Sequence, residues 1–136
     1  MAHAIAEAPA RGARDMSGPA LRTFFNIAKR WALNEQQQMQ ILGLESRSTL
    51  QSWKAKSKGE GTAVSLSRDV LERISYVLGI FKAINILLPV PERADGWIKA
   101  VNTAPTFAGR PPIERMTAGN VSDLYVVRQY LDAQRG

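Results

Sequence analysis

Apolar residues recur at helical spacing from Leu21 onward. Leu21, Phe24, Phe25, Ala28 and Trp31 are three or four apart, which predicts an amphipathic helix over residues 20–31. Asn34 follows, with Gln37 three positions later. That is capping-box spacing: the Asn side chain accepts from an opening-turn amide and the Gln side chain reaches back to the cap. A second helix therefore starts after Asn34. Gly43 stands where that helix needs a left-handed residue to end. Ser46 is placed to cap a third helix, in which Leu50 and Trp53 face the first and Arg47, Gln51 and Lys54 fall on the opposite side.

A longer stripe begins after Ser67. Val70, Leu71, Ile74, Val77, Leu78, Phe81, Ile84, Leu87 and Leu88 predict one long helix, with Ile80 and Ile86 widening its apolar face. Gly79 inside it marks a kink or a close backbone approach. Asp69 and Arg73 are spaced i,i+4. Pro89, Pro91, Pro105, Pro111 and Pro112 then divide the chain into short pieces. Pro91 can open a brief helix through Trp97, and Pro111 or Pro112 another through Met116. A last helix, capped by Asn120 with Asp123, turns Val121, Leu124, Val127 and Leu131 inward. No alternating strand pattern extends beyond a few residues. The fold class is all-α: an N-terminal helix-turn-helix bundle, then a small all-helical domain. The expected organisation is a disordered arm over 1–19, a helix-turn-helix unit over 20–58, a linker over 59–65 overlapping the Gly- and Lys-containing stretch 56–64, and a second unit over 66–136.

The 136 residues have no cysteine, and their one histidine is His3. Disulfides, thiol nucleophiles, Cys-bound zinc and a histidine acid–base pair are excluded on that inventory. The carboxylates fall mostly at helix caps and ion-pair spacings, and no Gly-rich phosphate loop is present. No catalytic residue, metal site or cofactor is expected. No segment approaches the roughly 18 apolar residues that span a bilayer, so the expected location is the cytoplasm, without a membrane partner.

Net charge is +6, and it is unevenly spread. Residues 21–58 carry seven Lys and Arg against Glu35 and Glu45 alone, as a surface for phosphate backbones would. In a helix-turn-helix the second helix enters the major groove. The expected DNA-binding residues are Arg47, Ser48, Gln51, Ser52, Lys54 and Lys56. Arg is suited to guanine, Gln to adenine, Ser to a base edge or phosphate, and the lysines to phosphates.

The second unit carries a more specific pattern. "LSRDVLERISYVLGIFKAINILLP", "ERADGWIKAVN", "FAGRPPIERMTAG" and "LYVVRQYLDAQRG" follow one another in order. Together they resemble the MbcA/ParS/Xre-type antitoxins, over about residues 20–136. An extra proline, Pro111 beside Pro112, departs from the family pattern. The resemblance implies an Xre-like helix-turn-helix followed by a toxin-binding domain. It further implies a RES-domain toxin partner that consumes NAD, neutralised when the antitoxin covers its active-site entrance. Carried over, the toxin-binding residues are Tyr130, Leu131, Asp132, Gln134, Arg135 and Gly136. The implied function is a type II antitoxin that also binds its own promoter DNA and autorepresses, as a homodimer or in a larger hetero-oligomer with toxin. The alternative is a stand-alone dimeric helix-turn-helix regulator with no toxin partner.

Overall fold

The computed structural model describes the backbone of residues 4–59 and 64–136, and side chains from Ser17 onward. Residues 1–3 and 60–63, the start of the expected arm and the middle of the expected linker, lie outside the described residues. Among the described residues seven α-helices follow in order: α1 (Ala4–Arg30), α2 (Glu35–Leu42), α3 (Arg47–Lys58), α4 (Arg68–Leu87), α5 (Pro91–Gly96), α6 (Pro112–Met116) and α7 (Val121–Arg135). A 3-10 turn, Trp97–Lys99, extends α5. Among the described residues there is no strand, only an isolated bridge between Asn102 and Arg110. The all-α expectation holds.

The local signals act as their chemistry requires. Asn34 accepts from the Gln37 amide (2.8 Å) while the Gln37 side chain accepts from the Asn34 amide (2.9 Å), closing the capping box of α2. Gly43 has φ +75°, and Leu44 N–H returns to the Met39 carbonyl (2.8 Å), so α2 ends in a Schellman motif. Ser46 accepts from the Thr49 amide (3.4 Å) and Ser67 from the Val70 amide (3.2 Å). Asn120 differs from expectation. It occupies the cap position of α7, but its side chain donates to Asp123 (3.2 Å) and makes no cap bond to the backbone.

The expected disordered arm is corrected in part, since the backbone is already helical from Ala4. Pro9, Gly12, Gly18 and Pro19 argue against a helix there. Tertiary packing outweighs them at the C-terminal end of the stretch, where Ser17 is fully buried and its Oγ accepts from the Leu66 amide (3.2 Å). The expected linker shows the same effect. Its described end does not swing free, because Val64 and Leu66 are both buried.

A single core runs through both halves. Leu21, Phe24 and Trp31 of α1 join Leu42 and Leu50, and continue into Ile74, Ile80 and Ile84 of α4 and Leu124 and Val127 of α7. The central helix α4 packs most extensively against α7 and next against α1. Gly79 is the close approach between α4 and α7. The Arg128 guanidinium lies across it, and a Cβ there would collide with that group. The other side of α4 is stapled to the first unit by Arg73. Its residue is only 8% exposed, so the expected i,i+4 pair forms but continues inward as a buried junction, with the Asp69 side chain still 55% exposed. Arg73 donates to Asp69 (2.9 Å), to the Ile41 carbonyl at the end of α2 (3.3 Å) and to the Gly119 carbonyl before α7 (3.1 Å). A cation there also meets the negative end of the α2 dipole. Arg73→Met keeps much of the volume and strands both carbonyls. Charged hydrogen bonds of this kind are worth about 1.5–3 kcal/mol, and a loss of that size should appear as a lower denaturant midpoint at unchanged slope.

Candidate nucleic-acid and partner surfaces

The turn at Gly43 throws α3 across α1, with Leu50 fully buried and Trp53 partly so. This leaves Arg47, Ser48, Gln51, Ser52 and Lys56 exposed along the outer side of α3. Five of the six residues expected to face DNA thus share one open surface. Lys54 departs from it: it is half-buried, with Nζ 5.8 Å from the Phe25 ring centroid. Its stem runs along the α1 border and the charge settles over an aromatic face. Ser46 and Ser48 bond to each other (2.7 Å) at the helix start.

Two cations of the basic segment are paired with carboxylates within the fold. Arg30 makes a two-bonded pair with Asp95 (3.1 Å each) and lies over Phe81. Arg47 meets Glu35 (Nε–Oε1, 3.4 Å) while staying 72% exposed at its side chain. The same Glu35 carboxylate accepts from the Gln51 side-chain amide. Sequence reasoning counted Glu35 only as a stray negative charge. Its position, the first residue of a helix whose start faces the start of the next, was the signal available.

The second surface lies at the far end of α4 and α7. Leu124, Val127 and Leu131 anchor α7 to the core. Tyr130 stacks on Trp97 (centroids 6.4 Å, interplanar 23°) and meets Phe107 edge-on (5.0 Å), while Trp97 and Phe107 also meet edge-on (5.8 Å). Beside this cluster opens a cavity of about 290 Å³, bounded by Leu87, Leu88, Trp97, Tyr130, Leu131 and Gln134. Ile86 and Val90, flanking the two leucines in sequence, are 57% and 48% exposed, so the apolar surface continues outward. Of the residues expected to meet a partner, Tyr130, Leu131 and Gln134 line the cavity. Leu131 is 1% exposed and serves mainly as core. Asp132 pairs with Arg128 (3.1 Å) and Arg135 (3.9 Å), which places Arg135 and Gly136 on the exposed last turn. Trp97, Phe107, Leu87 and Leu88 were not among the expected contact residues. Nothing in their local spacing connects positions so far apart. In the stretch with the extra proline, Pro111 sits at the cap position of α6 and Arg110 pairs with Glu114 (2.7 Å).

On the flank of α4 and α7, Tyr76 donates to Glu72 (3.1 Å). Its hydroxyl is pushed above the usual phenol range, first by desolvation and then by that carboxylate.

An exposed polar helix at one end, and at the other an apolar cavity rimmed by a helix terminus, define a helix-turn-helix protein with a built-in partner-binding domain. Residues 10–79 match the family model described as an antitoxin Xre-like helix-turn-helix domain, and residues 83–136 match the antitoxin Xre/MbcA/ParS C-terminal toxin-binding domain. The chain belongs to this antitoxin family. It is also 44% identical over 133 residues to the uncharacterized protein y4oB of Sinorhizobium fredii, covering 94% of this chain and 97% of that one. The two family matches meet inside α4, not in the stretch 59–65. Among the described residues no helix is long and apolar enough to cross a membrane.

Proposed function

We propose that this chain is the antitoxin of a type II toxin–antitoxin pair whose toxin is a RES-domain enzyme that consumes NAD. The observation that carries the neutralising arm is the aromatic-walled cavity at Trp97 and Tyr130, which opens beside the exposed last turn of α7. An apolar side chain of the toxin fills the cavity. Asp132, Gln134, Arg135 and Gly136 are then carried to the entrance of the toxin's active site. The buried anchor supplies affinity and the exposed turn supplies the block.

The second arm is autorepression. Arg47, Ser48, Gln51 and Ser52 enter the major groove of the promoter while Lys56 and its neighbours meet phosphates. One such helix makes few base contacts, so a homodimer or a larger complex with toxin sets two of them on successive grooves. The antitoxin acts in the cytoplasm, performs no chemistry and needs no cofactor.

Co-expression with the protein encoded beside it, under this reading a RES-type toxin, tests the proposal. A stoichiometric complex should co-purify, and cells carrying both should keep their NAD while cells carrying the toxin alone lose it. A chain that brings down no partner and leaves NAD loss unchanged is a regulator acting alone.

A further inference from the structure

We infer that Glu35 is a positioning residue that fixes the hydrogen-bonding polarity of the α3 reading face, so that Arg47 selects guanine and Gln51 selects a base bearing an exocyclic amine. The inference rests on α3 being the recognition helix. A free glutamine can present its amide either way round, and so can accept from one base or donate to another. Gln51 lacks that freedom. Its Nε2 donates to Glu35 Oε2, and a carboxylate accepts without donating. The nitrogen must therefore sit toward α2, and the planar amide carries its carbonyl oxygen on the other side. An acceptor offered to the major groove is matched by adenine N6 or cytosine N4, and mismatched by the carbonyls of guanine and thymine.

Arg47 is handled by the other oxygen of the same carboxylate. Glu35 Oε1 lies 3.4 Å from Nε, which leaves the two terminal nitrogens as an end-on fork. That fork fits the paired acceptors O6 and N7 of guanine. Arg47 and Gln51 are four residues apart on one helix, so a single carboxylate spans both. The arrangement has a cost: a negative charge on a surface that approaches phosphates weakens indiscriminate binding. Against the very large excess of non-specific sites, that loss itself favours selectivity.

The test is selection from a randomised DNA duplex pool with the full chain and its Arg47→Ala, Gln51→Ala, Glu35→Ala and Glu35→Gln variants, each checked by circular dichroism for an intact fold. The wild type should enrich a site with guanine at one position and adenine or cytosine at another. Arg47→Ala should lose the first preference and Gln51→Ala the second. Glu35→Ala should lower selectivity at the Gln51 position by about tenfold and bind random duplex more tightly. Glu35→Gln keeps the side-chain shape but removes the charge and the acceptor-only constraint, and should let thymine or guanine appear at the Gln51 position. A role confined to holding α2 and α3 together would not change which base is chosen. If both Glu35 variants keep the wild-type preferences while Gln51→Ala loses its own, the inference about Glu35 is overturned and the recognition helix stands. If Arg47→Ala and Gln51→Ala also leave the enriched site unchanged, the recognition-helix reading fails and takes this inference with it.

Discussion

A chain cut after Leu131 should fold normally and fail to protect cells from its toxin. The cut removes Asp132, Gln134, Arg135 and Gly136, all exposed, and keeps Leu131, which closes the core at 1% exposure. Tyr130 also stays against Trp97 and Phe107. The cavity anchor at Trp97 and Tyr130 survives the cut, so the complex should weaken only by the lost rim contacts, about 1.4 kcal/mol or roughly tenfold, while the block is lost. Titrating toxin with the truncated chain while following NAD reads both the affinity and the block. A shorter form cut before Tyr130 would confuse the two. It also deletes a buried leucine, and such losses cost about 2–5 kcal/mol of stability. Full protection by the form ending at Leu131 would show that the last turn of α7 plays no part in inhibition.

Replacing Arg47 and Gln51 together with alanine should leave toxin neutralisation intact and remove sequence selectivity for the promoter. Each specific side-chain-to-base pairing contributes about 1–3 kcal/mol of discrimination, so the pair together should lower the ratio of promoter to random-duplex affinity by roughly 100-fold or more. Residual binding should depend steeply on salt, because Lys56 and Lys58 remain exposed and continue to meet phosphates. Gel shifts at two salt concentrations, with promoter and scrambled duplexes, separate these contributions. An unchanged preference for the promoter would move base reading away from α3.

Local chemistry made much of the fold legible. Caps act over three residues and helical periodicity over eight or more, so Asn34 with Gln37, Gly43, Ser46, Ser67 and the Val70–Leu88 stripe declared their elements without tertiary information. What stayed hidden depended on partners distant in sequence. Arg73 reads as an ordinary i,i+4 partner of Asp69 until the fold brings the Ile41 and Gly119 carbonyls to it. Trp97, Phe107 and Tyr130 come from a 3-10 turn, a loop and α7, and only the packing of α7 on α4 makes them one wall. Lys54 follows the period of Arg47 and Gln51, yet the Phe25 ring on a neighbouring helix decides where its charge rests. The N-terminal stretch shows the reverse error. Its glycines and prolines speak against a helix, and the buried Ser17 shows a contact from outside the segment overriding them.

The Arg73 junction bears on how such proteins can be recombined. A cut between the two family matches would fall inside α4 and separate this guanidinium from the Gly119 carbonyl it serves. An engineered hybrid that joins this promoter reader to another antitoxin's inhibitory half must therefore carry across Arg73, its aspartate and the glycine turns on either side of it as one graft. Swapping halves as independent parts would leave a buried charge short of one acceptor at the centre of the new seam.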